Sequence, residues 1–218
     1  MFEVIDSFDT ELLIFLNSFR GNFWDIFLAH FSGKYVWVPL YASLIYLFFK
    51  NYNWKQSIIF ILAIVLTVLL ADQTCSHIIR PLVQRLRPAH PENPISEFIF
   101  TVEGHVPGGR FGFPSCHAAN SFALAILVTL IIRNLWLSIF FFFWAIINSY
   151  SRIYLAAHYP GDLIVGALVG LFYGVLISMV VTSLTRQSKR ETKHNQGAIP
   201  IVIYTGLLTM VIFAIISL

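Results

Sequence analysis

An all-helical integral membrane protein is the fold class the sequence predicts: six transmembrane helices, preceded by an amphipathic helix lying in the bilayer interface. Three observations lead there. Hydrophobic residues fill 57% of the 218 positions and charged residues only 11%, where a soluble domain is about a quarter charged. The aromatic load is heavy, with 21 Phe, 9 Tyr and 5 Trp, as lipid-facing surfaces and interfacial belts require. The apolar residues also fall into six runs separated by polar connections.

Each element follows in chain order. Residues 1–33 alternate Phe2, Ile5, Phe8, Leu12, Leu13, Leu16 and Phe19 with Asp6, Asp9 and Glu11 at helical spacing, the pattern of a helix lying in the interface. Acidic residues stand where a signal peptide would carry its basic region. The six runs cover residues 35–49, 57–79, 118–132, 135–150, 163–184 and 198–218. Several fall short of the ~20 residues a bilayer needs, so polar flanks are expected to extend them. The whole chain, 1–218, reads as one membrane domain, with 89–113 as a long loop on the outer face.

Lysines assign the sides. Lysine and arginine together tie at seven on each face. But Lys50, Lys55, Lys189 and Lys193, four of the five lysines, sit in connections on one face, including 185–196, and that face is taken as cytoplasmic. The other face carries 80–113 and 151–162. It is expected outside a bacterial inner membrane, with both chain termini on that side. The net charge of +3 is too small to argue for nucleic acid.

Alternating helix direction brings the end of the second span, the start of the third, the end of the fourth and the start of the fifth to this outer face. Those ends hold "HIIRPLVQRLRP", "FPSCHAANSF" and "SYSRIYLAAHYPGD". Arg80 and Arg87 lie about two helical turns apart, and Arg152 supplies a third guanidinium. Arginine forks match phosphate oxygens and stay charged. Ser115 and the amides of Cys116 and His117 open a helix, where free N–H groups favour an anion. Asp162, four residues after His158, can fix the tautomer of that imidazole and leave its other nitrogen as a nucleophile. His117 is then free to act as general acid.

These residues resemble the three signature motifs of the type 2 phosphatidic acid phosphatase superfamily: Arg80-x6-Arg87-Pro88, Pro114-Ser115-Cys116-His117 and Ser151-Arg152-x5-His158-x3-Asp162. Bacterial class A acid phosphatases, glucose-6-phosphatase and vanadium haloperoxidases belong to the same superfamily. The resemblance implies a phosphohistidine on His158 oriented by Asp162, with His117 protonating the leaving group. It implies phosphoryl binding by Arg80, Arg87, Ser115, Cys116 and Arg152, with no metal and no cofactor. Two positions depart from the family pattern: Arg80 replaces the usual lysine, and Cys116 replaces the usual glycine. Cysteine serves there only if the local φ is an ordinary negative one.

Other residues have plainer readings beside functional ones. Arg110 lies close enough to the Pro-Ser-Cys-His turn to touch a headgroup, whereas Arg85 reads as an interfacial charge. His77, His117 and His158 lack compact metal-ligand spacing. Asp72, Gln73 and His77 are polar at membrane depth, where such residues serve either function or packing. Gly161, Gly166, Gly170 and Gly174 recur as in closely packed helices.

The expected function is removal of phosphate from a lipid of the bacterial envelope. Lipid A (its 1- or 4′-phosphate) and undecaprenyl diphosphate are the leading substrates, ahead of phosphatidylglycerol phosphate and phosphatidic acid. The bilayer and the phosphorylated lipid are the expected partners. The alternative is an arginine-lined anion or phospholipid transporter, which has no need of the His158–Asp162 pair.

Overall fold

The structure, a computed structural model, describes residues 2–105, 108–185 and 197–218, with side chains from Ser7 onward in the first helix. Regular structure among the described residues is helical: α1 (Phe2–Asn17), α2 (Asn22–Phe31), α3 (Val38–Asn51), α4 (Trp54–Gln73), α5 (Arg80–Val83), α6 (Cys116–Ile132), α7 (Leu135–Tyr154), α8 (Pro160–Thr185) and α9 (Ala198–Ile216). Each of the six apolar runs falls for the most part on one of these helices. Three stretches are long and apolar enough to cross a membrane, Trp54–Val83, Pro160–Thr185 and Ala198–Ile216, and Cys116–Ile132 is apolar but shorter. Their outer faces expose Leu62, Leu66, Leu168, Phe172, Leu208 and Ile212, a surface suited to lipid. The chain is a multi-pass membrane protein. Most of the lysine-bearing connection, 186–196, lies outside the described residues.

Local chemistry sets the helix ends. Asn53 and Asn134 accept the amides of Gln56 and Leu137 at 3.0 Å each, capping α4 and α7, as short polar side chains do at N-caps. Pro160 begins α8, where its missing N–H costs nothing. After Gln73 the fourth helix widens into a π-helical turn, Thr74–Ile79, before α5. Such turns are uncommon and recur at functional sites; this one delivers Arg80.

Helices α6 and α8 form the tightest pair. A Cβ on Gly166 would collide with the Ser115 carbonyl, and one on Gly170 with the Ala119 carbonyl. Glycine therefore lets the two backbones touch. The contact places the first turn of α6 against the first turn of α8, where the Ser115 amide donates to the Asp162 carbonyl at 3.0 Å. Deeper in the bundle, Phe31, Trp37, Phe48, Phe141 and Trp144 are buried in the main apolar cluster.

The N-terminal region departs from its expected form. Residues 2–33 hold two helices, and among the described side chains of α1 the buried ones are Asp9, Leu13 and Asn17, while Phe8, Phe15 and Phe19 are exposed. The Asn17 amide donates to the Tyr154 carbonyl at 3.0 Å, and its oxygen accepts the Phe100 amide at 2.8 Å. The polar residues of α1 thus bind the loop of residues 89–113 and the end of α7. That loop is folded back on the bundle: Asn93 donates to the Arg87 carbonyl at 3.0 Å and to the Tyr159 hydroxyl at 2.9 Å.

Candidate active site

The three motif segments meet around one cavity of about 950 Å³. At one end it is lined by Arg80, Arg87, Cys116, His117, Arg152 and His158; at the other by Tyr41, Leu44, Ile45, Val65 and Leu69 of α3 and α4. A dense cationic end opens into an apolar slot between two helices.

His158 is buried in the connection between α7 and α8. Its Nδ1 lies 3.3 Å from Asp162 Oδ2, and Arg87 Nη1 lies 3.1 Å from its Nε2. A guanidinium can only donate, so Nε2 is the unprotonated nitrogen and Nδ1 carries the proton toward the carboxylate. Burial, then the positive charges of Arg87, Arg152 and Arg80, push the imidazole well below its ordinary value. A neutral imidazole with its lone pair turned into a cationic cavity is the form a nucleophile needs.

The arginines are anchored by some of their donors and leave others unused. Arg80 Nη2 donates to the Pro114 carbonyl at 2.9 Å and to Cys116 Sγ at 3.1 Å. Arg87 Nη1 also donates to the Ala157 carbonyl at 2.9 Å, and Arg152 Nη1 to Ser32 Oγ. In all three the Nε donor is buried without a hydrogen-bond partner. A buried, unpaired donor on a charged group is costly, and the three guanidinium groups that line one cavity concentrate the charge that an anion with several oxygens would meet.

Asp162 is fully buried and heavily engaged. Besides His158, its Oδ2 accepts the Tyr159 amide at 3.1 Å, and its Oδ1 accepts Arg85 Nη1 at 3.1 Å. Arg85 Nη1 also bridges to Asp9 Oδ2 at 2.6 Å, while Asp9 Oδ1 accepts the Gly161 amide at 2.7 Å. The Arg85 guanidinium lies over the Tyr159 ring, 3.5 Å from its centroid. The chain Asp9–Arg85–Asp162–His158 thus runs from the N-terminal helix to the imidazole. Arg85 is no plain interfacial charge, and Asp9 is on the inner face of α1. Periodicity had put Asp9 on the watery side; the one signal against it was the cost of leaving Arg85 unpaired.

Other expected residues are placed differently. Ser115 is fully buried; its Oγ accepts the Ala118 amide at 3.4 Å as the N-cap of α6, and it does not line the cavity. Arg110 is exposed and paired with Glu92 at 2.5 Å, away from the cavity wall. Its carbonyl accepts the Arg87 amide at 3.1 Å, so its main chain stays beside the motif while its side chain goes to Glu92. Cys116 stands without a positive φ, unlike Gln84, Arg133 and Ala156, so cysteine is accommodated where the family has glycine. His117 lines the cavity from the first turn of α6. His77 is turned to Ser76 instead. Among the described residues no group of three or more His, Cys, Asp or Glu is placed to hold a metal ion.

Known proteins share this plan. A sequence model of the PAP2 superfamily matches residues 56–186. The chain is 48% identical over 215 residues to a lipid A 4′-phosphatase of Bacteroides thetaiotaomicron, across 96% of this chain and 95% of that protein. It is 31% identical over 180 residues to a lipid A 4′-phosphatase of Porphyromonas gingivalis, across 82% and 75% of the two chains. The crystal structure of Aquifex aeolicus LpxE superposes with a TM-score of 0.57 at 27% identity, covering 77% of this chain and 92% of that one. The matched family segment contains all three motifs that line the cavity, and the likenesses extend through nearly the full length: the chain belongs to the PAP2 superfamily.

Proposed function

We infer that the protein is a phosphatase for a phosphorylated lipid of the bacterial envelope, with the 4′-phosphate of lipid A as the foremost substrate. The observation that carries this reading is that Arg80, Arg87 and Arg152 line one cavity with His117 and His158, with Arg87 Nη1 3.1 Å from His158 Nε2. The apolar slot beside it suits acyl chains. Similarity to two lipid A 4′-phosphatases favours that lipid over undecaprenyl diphosphate. The chain would act as one membrane domain of six spans, with α1 at the interface and the site facing the periplasm.

The geometry supports the following reaction. The phosphate monoester enters with its oxygens toward Arg80, Arg87 and Arg152, and Arg87 Nη1 transfers from Nε2 to a phosphoryl oxygen. Nε2 then attacks phosphorus in line, and the bond to the ester oxygen breaks. That oxygen keeps the electron pair and takes a proton from His117. Asp162 holds the resulting imidazolium through Nδ1–H. In the second half, His117 removes a proton from water, which attacks phosphorus and releases inorganic phosphate and free His158. Charge that develops on the transferred group is met by guanidinium groups already in place.

The test is phosphate release by the detergent-purified protein from lipid A, undecaprenyl diphosphate and phosphatidic acid side by side, with His158→Ala as control. Release from lipid A above the others, lost in the variant, is the expected result. Retained hydrolysis in His158→Ala would overturn the nucleophile; no release by folded wild type would return the cavity to an anion transporter.

A further inference from the structure

Asp72 is a carboxylate inside an apolar helix, and the phosphatase reading has no use for it. It lies in the last turns of α4, within the stretch Trp54–Val83 that is long and apolar enough to span a membrane. Ionisable residues at such depth are expensive and call for a role. Its side chain lines the cavity between the cationic end and the apolar slot, beside Ser76 and Asn120.

The polar groups around it are arranged in one sense only. Asn120 Nδ2 donates to Asp72 Oδ1 at 3.1 Å. A carboxylate only accepts, so the Asn120 amide is committed to this orientation, and its own Oδ1 is left buried without a partner. That is an unfavourable arrangement, and what it achieves is to hold the Asp72 carboxylate toward the cavity. Ser76 Oγ donates to the Asp72 main-chain oxygen at 2.7 Å rather than to the carboxylate. This wall of the cavity therefore presents the Asp72 carboxylate as its charged acceptor, beside the second N–H of the Asn120 amide.

We propose that Asp72, held by Asn120, is the specificity residue that reads the alcohol carrying the phosphate, and that it selects an alcohol with O–H or N–H donors beside the ester. An amino sugar carries ring-hydroxyl and amide donors on carbons close to the phosphorylated one. A polyprenyl diphosphate or a diacylglycerol phosphate has none there. A site built to hydrogen-bond a substrate group discriminates strongly against analogues that lack it, because its own polar atom is then left unpaired. The substrate class is thus a phosphorylated saccharolipid, its sugar at the Asp72 level and its acyl chains in the slot of Tyr41, Leu44 and Val65. The inference rests on the phosphatase reading and deepens it.

The experiment compares kcat/KM for lipid A with that for phosphatidic acid in wild type, Asp72→Ala and Asp72→Asn. The expected result is a selectivity ratio that falls roughly 10- to 100-fold in Asp72→Ala, the loss of one hydrogen bond to a charged acceptor, and less in Asp72→Asn. A ratio that stays within about twofold in both variants overturns the proposal; if both activities fall together, Asp72 serves the phosphate cradle instead. Wild type that hydrolyses neither lipid sinks the phosphatase reading. The same ratio is then read from the two dissociation constants by the fluorescence of Trp37 and Trp144, which line the cavity, and the same limits decide.

Discussion

Removing Asp9 tests whether the N-terminal helix supports the chemistry. The Asp9 side chain is 12% exposed and its partner Arg85 19%. The carboxylate makes two short contacts, 2.6 Å to Arg85 and 2.7 Å to the Gly161 amide. Hydrogen bonds to charged groups are each worth about 1.5–3 kcal/mol. Breaking a buried ion pair costs roughly 3–5 kcal/mol when the remaining charge is stranded. Arg85 is not stranded, since it keeps Asp162 and the Tyr159 ring. Asp9→Ala should therefore cost about 2–4 kcal/mol, toward the lower end of those two contributions combined. For a chain of this size that is a fall of roughly 5–12 °C in the thermal midpoint, measured in detergent.

Activity should move separately from stability. Arg85 is shared between two carboxylates, and without Asp9 its whole charge falls on Asp162 Oδ1. That draws the carboxylate from His158 Nδ1, already 3.3 Å away. The expected result is a kcat reduced about tenfold, near 1.4 kcal/mol of transition-state stabilisation, with KM little changed, and partial recovery in Asp9→Glu. A variant with wild-type midpoint and wild-type kcat would refute the reasoning, and one that loses only stability would make Asp9 a structural latch.

Two further predictions concern packing and pH. Gly170→Ala should destabilise the protein by about 1–3 kcal/mol, because the added methyl meets the Ala119 carbonyl in a contact that cannot open without parting α6 from α8; an unchanged thermal midpoint would show that the two helices are free to separate. The His158 imidazole is pushed well below its ordinary 6.5, and its neutral form is the nucleophile. The acid limb of kcat/KM should therefore lie below 6.5. The stability this buried imidazole contributes is complete above 6.5 and is lost as pH falls through the lower folded value. An acid limb at or above 6.5 would mean that the imidazole is not held among the arginines as described.

Much of the site is legible without coordinates because the motif residues lie at helix ends, and helix direction alternates through a membrane. Arg80, His117, Arg152 and His158 converge for that reason alone, and all four line the cavity. Ser115 and Arg110 were legible only as neighbours in sequence. A serine ahead of a helix can bind an anion or cap the helix, and the Ala118 amide takes its oxygen here. Arg110 finds Glu92, eighteen residues earlier, through a fold of the loop.

Composition and periodicity determine that this chain lives in a membrane, that its apolar runs are helices, and which charged residues have a common end of the bundle to meet at. They do so because hydrophobic cost and helix geometry are local properties of a segment. Direction around a helix axis is different: which face of α1 turns inward, and which wall Asp72 joins, depend on the partner packed against each helix. Asp9 faces inward because Arg85 and the Gly161 amide wait there, and Arg85 is there because the segment after α5 folds across the start of α8. Only the tertiary structure joins those three segments, since the energy of a buried charge depends on what surrounds it and not on its place in the sequence.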